Sequence, residues 1–186
     1  MQDYTEFIDQ IIVDEAGLGE RVADLGAQIS RDDAGEELLV VCLLRGGITF
    51  VADLSRRISL PHALDCMSLS SYGVGRFTSS GNVRVNLDLM TNIEGRNVLL
   101  VEDIVDSGRT LAHVLDMLRT REPKSLRVCV LLDKKERREV DVQVDYIGFD
   151  VPDKYVFGYG IDINEHHRNL PFIATVNLSK YTALSE

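Results

Sequence analysis

Apolar residues along this chain switch between two spacings. From Gly19 to Ser30 they fall at Val22, Leu25 and Ile29, an i, i+3, i+7 pattern that predicts one face of an amphipathic helix. Leu38 to Leu44 is then an unbroken apolar run between Glu36-Glu37 and Arg45-Gly46-Gly47, the pattern of a strand covered on both faces. Helical spacing returns at Val51, Leu54 and Ile58. A second unit repeats this order. Asn97 to Val101 reads as a short strand, Glu102 to Gly108 as a polar turn, and Leu111, Val114, Leu115 and Leu118 as a helix that ends before Pro123. Strands follow at Arg127 to Leu132 and at Val144 to Phe149. Strand, polar loop and helix in repetition predict an α/β domain with a mainly parallel sheet.

Two segments stand apart from the repeat. Cys66 to Leu89 is rich in Ser and Gly, with alternating Val83, Val85 and Leu87, and predicts two strands joined by a long, mobile, glycine-rich excursion. From Tyr155 onward aromatic, Gly and charged residues mix, which predicts a small cap over the sheet. No internal repeat or linker interrupts the chain, so residues 1–186 are expected to form a single domain.

Composition narrows the function classes. The hydrophobic fraction is 45% and the charged fraction 27%, values of a globular protein. The longest apolar run, seven residues, is far short of a bilayer span, and acidic Asp3, Glu6 and Asp9 do not resemble a secretory leader. A cytoplasmic location with no membrane partner is the expectation. A net charge of −10 repels nucleic acid at long range, which argues against nucleic acid as a partner. It leaves room for an anionic small molecule held by backbone N–H groups and local cations. Cys42, Cys66 and Cys129 are widely spaced, without a C-x-x-C or a zinc pattern, and read as reduced structural thiols.

The sharpest chemical signal is Val101-Glu102-Asp103-Ile104-Val105-Asp106-Ser107-Gly108-Arg109-Thr110. In open α/β sheets ligands bind beyond the carboxyl ends of the strands, where this segment falls. Gly108 lets the backbone approach an anion, Ser107 and Thr110 offer hydroxyls, and the following helix presents free N–H groups and partial positive charge. Carboxylates beside a phosphate would repel it unless they face sugar hydroxyls or a bridging magnesium ion. A phosphate on the turn and a diol on the acids describe a ribose 5-phosphate. The plainer reading makes Asp106 and Ser107 helix caps and Glu102-Asp103 a solvated strand end. No Walker loop occurs, and Gly73-Val74-Gly75 lacks the third glycine of a dinucleotide fingerprint.

VEDIVDSGRTL (101–111) resembles the phosphoribosyl-pyrophosphate motif of the type I phosphoribosyltransferases. LLRGG (43–47), SSYG (70–73), REPKSLRVCVLLDKKERR (121–138) and DYIGFDVPDKYVFGYGIDINEHHRNLPFI (145–173) are similar to the bacterial hypoxanthine and hypoxanthine-guanine branch of that family. The resemblance implies the type I fold: a mainly parallel sheet flanked by helices, a core over about 10–150, and a hood from the N-terminal residues and about 155–180. It also implies a long flexible loop that includes Ser71 and Tyr72.

Roles follow by position. The resemblance assigns the ribose hydroxyls to Glu102 and Asp103, and a general base acting at purine N7 to Asp106. It assigns the 5-phosphate to Ser107, Gly108, Arg109 and Thr110. Arg45-Gly46 matches a loop with a non-proline cis peptide that binds pyrophosphate through main-chain N–H groups, and Arg168 matches a pyrophosphate-binding arginine. Lys134 would donate to the purine 6-oxo group, Tyr155 would stack on the ring, and Val156 would read the base through its main chain. Asp162 would act near the base and, with Glu102 and Asp103, as a ligand of Mg2+. Each position also has a plainer reading: a solvated lysine, a packed tyrosine, a surface loop acid and a surface ion pair. His113 reads as a surface or packing residue, and His166-His167 depart from the tyrosine-bearing relatives.

The implied activity is Mg2+-dependent purine salvage from a 6-oxopurine and phosphoribosyl pyrophosphate by a homodimer or homotetramer. Hypoxanthine comes first, guanine second, with a xanthine or guanine preference as the alternative. A regulator on the same fold that binds RNA would want a basic surface, which the charge opposes. An adenine enzyme is disfavoured by Lys134, suited to an oxo acceptor.

Overall fold

The computed structural model describes residues 3–72 and 82–181. A single 3-10 turn at Tyr4–Glu6 leads into β1 (Ile8–Val13), and α1 follows over Glu15–Asp32. Its start is set by Asp14, whose side chain accepts the Gly17 N–H at 2.8 Å, so the helix begins before the first residue of the apolar spacing. Then come β2 (Leu38–Leu44), α2 (Ile48–Ser55), β3 (His62–Tyr72), β4 (Asn82–Leu87) and β5 (Asn97–Val105). The order continues with α3 (Arg109–Arg119), β6 (Ser125–Asp133), β7 (Tyr146–Asp150), β8 (Val156–Phe157) and β9 (Ile173–Val176).

The main sheet has the order β4-β3-β2-β5-β6-β7, parallel except for β4, which returns antiparallel along β3. The mainly parallel α/β architecture expected from the sequence is the one observed. β2 shows why its apolar run is unbroken. Leu38, Val40 and Cys42 face one core with Leu18, Val22, Leu25 and Ile29 of α1 and Phe50, Val51 and Leu54 of α2. Leu39, Val41 and Leu43 face the other core, with Leu111, Val114, Leu115 and Leu118 of α3. Period-two alternation inside a sheet covered twice leaves no polar position.

At β5 and α2, too, the boundaries differ from the sequence expectation. β5 continues through Val105, so Glu102 and Asp103 lie in the strand and not in a turn. Pairing with β6 carries it on: Glu102 opposes Val130, Ile104 opposes Leu132 and Val105 opposes Asp133. Ile58 lies beyond the end of α2, yet it is buried against the same core. β1, β9 and β8 form a separate antiparallel sheet, with its own core of Phe7, Phe157, Ile163, Leu170, Ala174 and Val176. Of the predicted excursion, Ser71 and Tyr72 are the last residues of β3, while Gly73, Gly75, Thr78, Ser79, Ser80 and Gly81 lie outside the described residues. Among the described residues no helix is long and apolar enough to cross a membrane.

The strand order creates the site. After β2 the chain moves outward to β3 on one side; β5 then returns to the other side of β2, with α2 and α3 on opposite faces. Order therefore reverses between β2 and β5, and a crevice opens beyond their carboxyl ends, the place where open α/β sheets bind ligands. Leu99 anchors β5 beneath that crevice and is fully buried. Leu99→Ala is expected to lower unfolding free energy by about 2–5 kcal/mol, the usual cost of such a cavity. Urea unfolding checks this, and a loss below about 1 kcal/mol would mean that the core collapses around the gap.

Candidate active site

Four chain segments meet at the crevice: the turns after β2, β5 and β6, and the residues that follow β8. The turn after β2 is held close to β5. The Leu44–Arg45 peptide is cis. A side chain at Gly46 would run into the Asp103 carboxylate, and one at Gly160 into the Gly46 carbonyl, so the three backbones approach as only glycine permits. The Arg45 guanidinium itself points outward, 2.7 Å from Glu165.

Neighbouring side chains in a strand diverge, and Glu102 and Asp103 meet different surroundings. Burial pushes the Glu102 carboxyl up to about 8; the Asp103 charge adds to the rise, and Arg138 opposes it. Glu102 Oε2 is buried and has no hydrogen-bond partner. Burial likewise pushes Asp103 up to about 6, with backbone N–H groups and the Arg168 charge pulling down and Asp162 pushing up. A buried acid oxygen without a donor, beside a second acid, is the unfinished half of a binding site: it has acceptor capacity to spare for a hydroxyl or a cation.

Beyond them Asp106, Ser107 and Gly108 turn into α3. Gly108 has φ +82°, and a side chain there would meet the Val140 carbonyl at 2.7 Å. The Ser107 carbonyl accepts the Glu139 and Val140 N–H groups at 2.9 and 3.1 Å, which ties the turn to the segment after β6. Arg109 and Thr110 are exposed in the first turn of α3, where helix N–H groups have no intrahelical partner. The Arg109 side chain is paired with Glu139 at 2.6 Å, so its charge is already engaged. An anion is thus left to the amides and hydroxyls.

Lys134 is 5% exposed, which removes the reading of a solvated lysine. Its N–H donates to the Val105 carbonyl at 3.0 Å, so it stands beside the end of β5. Burial lowers its pKa, while Asp106 and Asp153 hold it up. Tyr155, by contrast, is 42% exposed and lies next to buried Val156, so core packing does not account for its ring. Asp162 and Arg168 are 2.8 Å apart. Arg168 also donates to the Gly160 carbonyl at 2.9 Å, and Asp162 Oδ2 accepts the Glu165 N–H at 2.8 Å. Among the described residues no three His, Cys, Asp or Glu side chains are gathered to hold a metal ion. His113 is exposed on α3, and His167 packs edgewise against Phe7 and Phe157. A cleft of about 710 Å³ opens on the other side of Arg168, lined by α1, α2 and residues 168–171, and none of the acids on β5 line it.

Sequence reasoning passed over Arg137, Arg138, Asp133 and Asp153. Arg138 pairs with buried Asp133, and Arg137 reaches Asp106 and Asp153. The signal for them was the charge run directly after an apolar strand, at the carboxyl edge of the sheet.

The phosphoribosyl transferase domain model matches residues 10–166. A hypoxanthine phosphoribosyltransferase of Salmonella typhimurium is 48% identical over 91% of this chain and 96% of its own. A solved hypoxanthine-guanine phosphoribosyltransferase of Bacillus anthracis superposes with a TM-score of 0.86 at 45% identity, covering 91% of this chain and 98% of the other. A solved hypoxanthine phosphoribosyltransferase of Staphylococcus aureus gives a TM-score of 0.91 at 36% identity, covering 96% of each chain.

Glu102 gives the metal-free protein a pH signature. Below its ordinary value of 4.5 the carboxyl is protonated in folded and unfolded chains alike. From there to about 8 the folded state keeps a proton that the unfolded chain has lost, so Glu102 makes stability fall as pH rises through that window. Glu102→Gln is therefore expected to gain stability relative to the parent between about pH 5 and pH 8. Urea midpoints of both proteins at the two pH values, without divalent cations, read it; a constant difference would count against an uncompensated buried carboxyl.

Proposed function

The chain belongs to the phosphoribosyltransferase family, and on that premise we propose that it performs purine salvage. The reaction moves the 5-phosphoribosyl group of phosphoribosyl pyrophosphate to N9 of hypoxanthine, giving IMP and pyrophosphate; guanine is the second substrate. The observation that carries this reading is the Glu102-Asp103 pair, with a buried oxygen left without a partner, on the strand that leads into the phosphate turn and ends beside buried Lys134.

The chemistry follows from the charges. As the bond from the anomeric carbon to pyrophosphate breaks, positive charge builds on the ribose, and Glu102 and Asp103 at its hydroxyls favour that state. Ser107, Gly108, Arg109 and Thr110 hold the 5-phosphate through the amides and hydroxyls of the turn, and Arg45, Gly46 and Arg168 receive the pyrophosphate. Asp106 accepts the purine N7 proton while N9 attacks. The Lys134 ammonium donates to the 6-oxo oxygen, and the burial that lowers its pKa makes it a stronger donor. Tyr155 offers a face for the ring, and Val156 the main-chain contacts that separate hypoxanthine from guanine.

Magnesium fits this donor set. It commonly takes one or two carboxylates together with substrate phosphates and keeps its waters, so no closed cage is needed. Glu102, Asp103 and Asp162 would hold it, and when bound it offsets the charge of the departing pyrophosphate. Ser71 and Tyr72, the last residues of β3, would help to keep water, a competing nucleophile, from the donor. The β1-β9-β8 sheet serves as the hood of a single domain. Association into a homodimer or homotetramer and a cytoplasmic location belong to the same reading; buried, free Cys42 and Cys129 suit a reducing compartment.

Asp106→Asn is expected to bind phosphoribosyl pyrophosphate normally and to turn over roughly 10²- to 10⁴-fold more slowly, the range for a lost general base. Calorimetry and steady-state rates check the two halves, and near-normal turnover would remove Asp106 from that role. Rates of kcat/KM for hypoxanthine, guanine and xanthine, with and without Mg2+, test the reading as a whole. A xanthine preference, or full activity without the metal, would overturn it.

A further inference from the structure

Arg137 closes the 3-10 turn Lys135–Arg137 that follows β6, and its N–H donates to the Lys134 carbonyl at 3.1 Å. Its guanidinium reaches back across the crevice. Nη1 donates to Asp106 Oδ2 at 3.3 Å, and Nε lies 3.2 Å from Asp106 Oδ1 and 3.4 Å from Asp153 Oδ1. The Nε approach to Asp106 is a close charge contact without hydrogen-bond geometry, because Oδ1 is buried and has no hydrogen-bond partner. The two oxygens of one carboxylate therefore differ: Oδ2 is hydrogen-bonded to Arg137, while Oδ1 is shielded from solvent beside Nε with no hydrogen-bond partner.

A base that must meet a proton at a fixed point needs both properties. Its rotation has to be stopped from one side, while a lone pair stays available on the other. Arg137 touches both oxygens and hydrogen-bonds only one, so it restrains rotation while hydrogen-bonding capacity of the carboxylate stays unspent. Asp153 faces the same Nε and lies two residues before Tyr155, so the segment that carries the exposed ring also steadies the arginine. Resting on the assignment of Asp106 as the base, we propose that Arg137 is a positioning residue for the transfer reaction. It fixes the orientation of the Asp106 carboxylate through contacts to both oxygens, and Asp153 acts through Arg137. The competing reading is a pair of half-exposed surface ion pairs. Such pairs contribute little to stability, and removing them would leave catalysis alone.

Single and double variants separate the two. Arg137→Gln is expected to lower kcat for hypoxanthine about tenfold or more, the scale of a hydrogen bond to a charged group, with KM for phosphoribosyl pyrophosphate and thermal midpoint unchanged. Arg137→Lys, which keeps the cation and loses the fork, recovers part of the rate. Asp153→Asn causes a smaller loss of the same kind, and no further loss when added to Arg137→Gln. Wild-type kcat in Arg137→Gln would overturn the proposal, as would an equal effect of Asp153→Asn in both backgrounds, or a loss that falls on donor binding. Near-normal turnover of Asp106→Asn would instead strike the assignment of the base, so the two failures are told apart.

Discussion

Two neighbouring carboxyls partly withdrawn from water at the end of a central strand are the constraint around which this protein is arranged. Glu102 and Asp103 would each ionise readily in water; here burial raises both. The protein opposes this only in part, by the charge of Arg138 near Glu102 and by backbone N–H groups and the charge of Arg168 at Asp103. A fully compensated pair would be more stable and chemically idle. The leftover acceptor capacity, most evident at Glu102 Oε2, is what a ligand bearing hydroxyls or a cation can complete.

Placing that pair requires the rest of the fold. β5 lies inside the sheet between β2 and β6, held by parallel ladders on both sides as far as Val101 and by β6 alone from Glu102 to Val105. Leu99 and Leu100 are fully buried below it, toward opposite cores. The reversal of strand order between β2 and β5 opens the crevice there and nowhere else along the two strands. Glycine then sets how near the loops come. Gly46 packs on Asp103 and Gly160 on the Gly46 carbonyl, which brings the turn after β2, the acids and the 158–168 segment within one ligand's reach.

What could be read from the sequence was what local spacing encodes. The apolar run of β2 and the helical spacing of α1 and α3 sufficed for an α/β sheet, and the acids, turn and helix of 101–110 located the chemistry. The missing parts depend on partners remote in the chain. β5 extends through its acids because β6 is there to pair with Glu102, Ile104 and Val105. β1 pairs with β9, more than 150 residues away, and its own sequence has no regular alternation to announce it. Lys134 looked like the first residue of a solvated basic run. Its burial comes from the neighbouring strand, whose Val105 carbonyl it meets.

That basic run shows how far composition can mislead at the carboxyl edge of a sheet. Lys134, Lys135, Arg137 and Arg138 are similar in charge and close in sequence, yet each meets a different environment. Lys134 is buried beside Asp106, and Lys135 sits on the surface with Asp150. Arg138 is half-buried, paired with buried Asp133, and lends its charge to Glu102, while Arg137 bridges Asp106 and Asp153. The strand ending at Asp133 and the single 3-10 turn after it send successive side chains in different directions, and the acids that meet them come from β5, β6, β7 and the segment before Tyr155. A run of like charges is tolerated here because each member has an acid near it, and Lys134 and Arg137 share Asp106 and Asp153. That sharing ties a buried cation and a half-exposed one to the same acids before any ligand arrives.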